Sequence, residues 1–241
     1  VQGIDRVGVM NRVLPWMPLL LALSASSPFW GECDTGLDSY RQSLCGEWPR
    51  MGAPPRFADE AAWRRYVAVL LQNGLMDEPG HTWWYVRPSA RYPTLELRIT
   101  DACPRLDEAL CIAGLFRLLV AQAREPLESE DPHWQQARQA ENFWQARRHG
   151  CAGRFLVRDD RLVDAHEWLE QAQAAVELWL DEEGERLFDR ARRIIQAGNS
   201  AQRQRAAYAA ALAKGRSGKA AWRAVVRHLL EENRRPPDYW D

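Results

Sequence analysis

Between residues 107 and 124 the chain places Ala109, Leu110, Ile112, Leu115, Phe116, Leu118, Leu119 and Val120 on nearly every side of a helical turn. A helix that is apolar all round has to be surrounded by other elements. The following sequence supplies them, because helical spacing predicts further helices at about 132–148, 164–182, 185–197, 200–213 and 217–232. The last two open at the capping residues Ser200 and Ser217. With 241 residues, 46% of them hydrophobic, the chain can bury one sizeable core or two small ones. No internal repeat of fixed period is present.

The N-terminal part is organised differently. Residues 5–25 read as a buried helix kinked by Pro15 and Pro18. The run Leu14–Leu23, preceded by Arg6 and Arg12 and followed by Ser24-Ala25-Ser26, imitates a secretory signal. Asp5, the two prolines and the cysteine usage speak against that reading, and the run is short for a membrane-spanning helix. Residues 26–56 read as a loop-rich stretch punctuated by Ser27-Pro28, Asp34-Thr35-Gly36 and Pro54-Pro55. Asp59 can cap a helix that runs to Gly74 and buries Trp63, Val67, Leu70 and Leu71. Segments 82–87 and 94–99 have strand composition and are joined by 88–93. Pairing Arg87 with Thr94 would set Tyr85 opposite Glu96 and Trp83 opposite Arg98. One face then carries a carboxylate and two guanidinium groups.

Composition removes several function classes. Thirty-two basic residues balance 33 acidic ones, so no global field draws the chain to nucleic acid or an anionic membrane. All but Lys214 and Lys219 of the basic residues are arginine, the side chain suited to two-pronged binding of carboxylate or phosphate. Five cysteines, Cys33, Cys45, Cys103, Cys111 and Cys151, form no C-x-x-C pair, which suits a reducing cytoplasm and argues against a thiolate zinc site. His166-Glu167-Trp168-Leu169-Glu170 lacks the second imidazole of a zinc protease. Gly215-Arg216-Ser217-Gly218-Lys219 fails as a phosphate loop because Ala213 and Ala220 stand at required positions and no strand leads in; it reads as a helix start. No dinucleotide or serine-hydrolase signature occurs. Chemistry therefore has to come from carboxylates and arginines.

The strand Thr94–Ile99 is the sharpest candidate. Leu95, Leu97 and Ile99 point one way, while Glu96 and Arg98 project together on the other side. A hard cation takes carboxylate oxygen, and a phosphoryl group in transfer takes guanidinium. The plainer reading is a solvated strand face.

Three blocks raise the stakes. Leu19–Trp30 with Asp34-Thr35-Gly36 and Ser39-Tyr40-Arg41 is the first; Trp84–Arg98 is the second; Glu141-Asn142-x-Trp144 with Arg147 and Gly150 is the third. Together, over roughly residues 5–215, the chain resembles the glutamate-cysteine ligase type 2 family of ATP-dependent carboxylate-amine ligases. The resemblance implies a fold similar to glutamine synthetase, with an antiparallel sheet forming a funnel lined by magnesium-binding carboxylates. It implies that ATP phosphorylates the γ-carboxylate of glutamate and that an amine, typically that of cysteine, attacks the acyl phosphate. Glu96 matches the family's metal-binding glutamate and Arg98 the arginine beside the phosphates. Arg87 is carried over with Arg98 as catalytic, and Arg41 matches an arginine that holds the amino-acid substrate. Asn142 is a candidate substrate contact, against the plainer reading of Glu141 and Asn142 as an exposed polar pair.

Departures accompany the match. Tyr85 stands where the family usually has an aspartate. Family members are longer at the N-terminus, where an E-x-E strand and an H-x-H segment supply further metal ligands; a lone Glu96 cannot hold several magnesium ions. The resulting expectation is an α+β chain: a partial antiparallel sheet of a glutamine-synthetase-like ligase fold with a large helical layer. It forms one domain over 1–241, with sheet and substrate loops in 1–103 and helices in 104–241. ATP and Mg2+ are the expected cofactors, and glutamate with cysteine or another amine the expected partners. Neither nucleic acid nor membrane is expected to bind, whereas unpaired sheet edges favour assembly with copies of the chain. The alternative is a truncated or degenerate relative that serves as a binding or assembly module. The tryptophans are expected to pack, and Arg190, Arg192 and Arg193 to form a solvated helix face.

Overall fold

The computed structural model describes residues 5–125 and 130–236, so the outer ends of the 1–241 span lie outside the described residues. Asp5 accepts a hydrogen bond from the Gly8 amide and opens α1 (Arg6–Val13). A single 3₁₀ turn over Leu14–Trp16 carries Pro15, and α2 (Met17–Ser24) follows, so the kink falls where the prolines predict it. By length and composition alone the stretch Arg6–Ser24 could cross a membrane, yet most of it is buried inside the protein. Arg6, at its start, is held by Glu60.

The 26–56 stretch is less irregular than its composition predicts. It holds the hairpin β1 (Phe29–Trp30) and β2 (Cys33–Asp34) and the short helix α3 (Arg41–Cys45). Next, α4 (Glu60–Gln72) starts at the Asp59 cap, whose carboxylate accepts from Ala62, and stops before Gly74 at φ +65°. Strands β3 (Val86–Pro88) and β4 (Leu95–Leu97) pair antiparallel with Arg87 opposite Glu96. The expected register was two residues off, because the Ser89 amide closes on Thr94 and makes the connection shorter than 88–93.

The helical layer comprises α5 (Leu106–Gln122), α6 (Pro132–His149), α7 (Ala165–Ala175), α8 (Glu182–Ala197), α9 (Ser200–Ala213) and α10 (Gly218–Arg234). Three corrections apply here. A hairpin, β5 (Arg154–Leu156) and β6 (Leu162–Asp164), interrupts the layer between α6 and α7. The predicted 164–182 helix ends at Ala175, and a 3₁₀ turn over Glu177–Trp179 leads to α8. Asn199, not Ser200, caps α9 through a reciprocal bond pair with Gln202, whereas Ser217 caps α10 as expected.

The described residues thus form an α+β chain with three two-stranded antiparallel sheets. The core gathers α2, fully buried, with Cys111, Ile112, Leu115, Leu118 and Leu119 of α5 and Leu187, Phe188 and Ile194 of α8. Arg190 is another departure: it is buried and paired with Asp107 at 2.7 Å, because α8 packs on α5 along that side. Arg192 sits nearer the surface and bonds Glu170.

At Gly150 the backbone turns with φ +53°, and a Cβ there would lie 2.1 Å from Asn199 Nδ2 and 2.2 Å from Asp38 Oδ2. Gly150→Ala is therefore expected to destabilise the fold by at least ~2 kcal/mol, measured by denaturant unfolding. An unchanged midpoint would contradict the assigned turn.

Candidate active site

The second hairpin builds the site. Val86 points into the core and Arg87 away from it, which leaves Arg87, Glu96 and Arg98 to meet on the other face. Glu96 Oε2 accepts from Arg87 Nε at 2.9 Å and Oε1 accepts from Arg98 Nη1 at 2.7 Å. One carboxylate thus bridges two guanidinium groups. Arg87 is fixed further by the carbonyls of Gly80 and Thr82. Arg98 lies over the Trp83 ring, 4.9 Å from its centroid, and its Nε is buried with no hydrogen-bond partner. A buried guanidinium nitrogen without an acceptor is primed for an anionic oxygen.

Burial raises the Glu96 carboxyl, but the hydrogen bonds and charge of Arg87 and Arg98 outweigh it and hold the group below the ordinary carboxylate range. Because the folded value is the depressed one, the bridge is complete above the ordinary range and is lost as pH falls through the lowered value. A carboxyl-carbon NMR titration should place Glu96 below the usual glutamate value of about 4.3. A midpoint at or above that value would contradict the bridge.

Arg41 reaches the same strand from α3. Its Nη1 donates to the Thr100 carbonyl at 3.1 Å and lies 3.6 Å from Asp101, and its Nη2 is 3.5 Å from the Arg98 carbonyl. Asp101, buried, organises this junction by accepting from Ser26, Ser27 and Ser39. Gln42 adds a bond to the Ile99 carbonyl. Sequence reasoning set Trp83 opposite Arg98 without assigning it a role, and it missed Asp101 altogether. Asp101 lies beyond the alternating strand, and its partners are more than 60 residues away, so no local spacing announces it.

Asn142 lies elsewhere. Its amide donates to the Leu156 carbonyl and accepts from the Leu156 amide, both at 2.7 Å, so it clamps β5 onto α6. The expected exposed pair is half right: Glu141 is exposed and Asn142 is buried. Tyr85 stacks on Phe143 at 4.5 Å, and burial pushes its phenol up strongly against the pull of Arg147. It cannot act there as a carboxylate would.

All five cysteines are free thiols. Burial pushes Cys103 and Cys151 up to about 12, so neither is a thiolate nucleophile at neutral pH. Among the described residues no group of three His, Cys, Asp or Glu side chains could hold a metal ion. Both Glu96 oxygens are engaged by arginine, so these residues do not by themselves fit a magnesium site.

With this geometry in place, comparison with known proteins is decisive. Residues 2–232 match Glutamate-cysteine ligase family 2. The chain belongs to that family. A protein of Pseudomonas paraeruginosa named "Putative glutamate--cysteine ligase 2" is 54% identical over 232 residues, covering 95% of this chain and 60% of its own length. Proteins of the same name from Pseudomonas aeruginosa and Ectopseudomonas mendocina are 50% and 44% identical, covering 96% and 98% of the chain and 57% and 63% of their own lengths. The chain spans about three fifths of the length of these glutamate-cysteine ligase family 2 relatives. The family membership makes a glutamate-cysteine ligase-like enzyme the frame in which Arg87, Glu96 and Arg98 are read.

Proposed function

We propose that this chain serves an ATP-dependent carboxylate-amine ligase of glutamine-synthetase-like architecture, which joins glutamate to cysteine, or to another amine, through an acyl phosphate. The observation that carries this reading is the Arg87–Glu96–Arg98 bridge with the Arg98 Nε left buried and unpartnered. Phosphoryl transfer demands little covalent help from protein and much positioning and charge neutralisation. Arg98 would meet the γ-phosphoryl oxygens as charge shifts to the leaving group, and Arg87 would add a second positive charge. In this proposal Glu96 orients both guanidiniums. Arg41, half-exposed beside the strand, would hold a substrate carboxylate.

Asn142 carries no substrate role in this proposal, because both ends of its amide are committed to the backbone of Leu156. Mg2+, expected from the resemblance, does not fit the described donors alone, and no step is routed through it. Free thiols throughout are compatible with the cytoplasmic placement proposed here.

The test is phosphate release by the protein with ATP, glutamate and cysteine together and with each omitted in turn. Release should require ATP and glutamate, and Glu96→Gln should slow it by loosening the arginine pair. Release indifferent to glutamate would contradict the reading, and unchanged turnover in Glu96→Gln would remove Glu96 from the site.

A further inference from the structure

A cavity of about 810 Å³ opens between α1, α6, α7 and the β5–β6 hairpin, and its lining includes none of Arg41, Arg87, Glu96 or Arg98. Among the described lining residues basic charge predominates: Arg12, Arg56, Arg138 and Arg158 stand there with Glu130 as the one acidic group, and Glu130 is already paired with Arg138. Arg12 donates to the Ala123 carbonyl and Arg56 to the Gln135 side-chain oxygen, so both hold neutral partners and keep their charge for a ligand.

The same cavity holds unmet acceptors. Asn11 donates its Nδ2 to the Phe57 carbonyl at 2.8 Å, which leaves its Oδ1 as the free end, and that oxygen is buried without a partner. Gln122, only 7% exposed, likewise has a buried Oε1 with no partner. Orphaned buried acceptors are uncommon and call for a donor. The third feature is an apolar wall, where Trp16 and Trp168 lie 6.3 Å apart between ring centroids, with Pro15 and Val157 beside them.

Guanidiniums for an anion, carbonyl oxygens for an N–H donor and an indole wall for an apolar body describe one ligand chemistry. We propose that this cavity binds a short peptide with free termini: the carboxylate against Arg12 and Arg56, the ammonium against Asn11 and Gln122, and an apolar side chain on Trp16 and Trp168. The volume admits more than a single amino acid, as expected for a dedicated small-ligand pocket. This site is separate from the ligase reading and stands without it.

Isothermal titration with glycyl-leucine tests the proposal on the whole protein. One equivalent should bind, and both the N-acetylated and the C-terminally amidated forms should bind at least tenfold more weakly. Gln122→Leu removes an unmet acceptor, and Arg56→Ala removes an exposed side chain, so both variants should melt cooperatively while losing at least tenfold in affinity. Absence of binding, equal binding of the three peptide forms, or full affinity in folded variants would each overturn the proposal.

Discussion

Replacing Arg98 by alanine should lower kcat for ATP-dependent ligation by on the order of 10²–10³, with the KM for the amine acceptor little changed. The reason lies in the geometry. Arg98 is held between the Glu96 carboxylate at 2.7 Å and the Trp83 ring, so its position is set before substrate arrives. A preorganised donor aimed at developing charge contributes mainly in the transition state. Arg98→Lys should recover only part of the loss, because an ammonium restores charge without the planar fork. Circular dichroism and melting should stay close to wild type, since Arg98 lies just beyond the end of β4 and its backbone amide bond to Tyr85 survives the change. Loss of activity confined to KM for the amine would place Arg98 elsewhere in the reaction.

The largest expected effect on stability belongs to Arg203. It bonds Glu108 at 2.9 Å and Glu232 at 2.6 Å; Glu108 is buried, and the Arg203 and Glu232 side chains are largely shielded at 14% and 10% exposure. This ion triad fastens α9 to α5 and α10. Arg203→Ala would leave Glu108 only the longer Arg105 contact at 3.8 Å and take from Glu232 its 2.6 Å partner, a loss expected to cost about 3 kcal/mol, the low end for breaking a buried pair. For a chain of this length that corresponds to a fall in Tm of about 10 °C. The pH dependence follows from the sign of the shift. Burial already pushes the Glu108 carboxyl up, against the pull of Arg203. Without Arg203 the folded-state value rises further above the unfolded one, so the variant loses stability as pH climbs through the raised value. Thermal melts at pH 5 and pH 8 should therefore show the larger deficit at pH 8. A deficit that is equal or smaller at pH 8 would contradict the buried triad.

The sequence made some of this legible and hid the rest for physical reasons. Caps at Asp59 and Ser217 could be read because one side chain and one amide three residues on decide them. The apolar circumference of α5 announced its burial in the same way. The β5–β6 hairpin stayed hidden because each strand has three residues, too few for alternation to separate from helical spacing. The pairing of Arg87 with Glu96 depended on how tightly the turn closes at Ser89 and Thr94, which composition does not specify. Arg190 and Asn142 looked like surface residues because polarity alone was visible; their partners, Asp107 and Leu156, come from other elements. The carboxylate with its two arginines, and Trp83 on the Arg98 side of the hairpin, were thus foreseeable, while the true register, the stacking of Arg98 on the indole ring and the Asp101 junction needed three dimensions.

The central claim is that the two arginines bridged by Glu96 serve activation of a carboxylate by ATP. Glutamate labelled with oxygen-18 in its γ-carboxylate tests it most directly, with the released phosphate analysed by mass spectrometry. Transfer of label into phosphate, dependent on ATP and sharply reduced in Arg98→Ala, is the predicted result. Amide formed with unlabelled phosphate, or label transfer unaffected by loss of Arg98, would contradict the account.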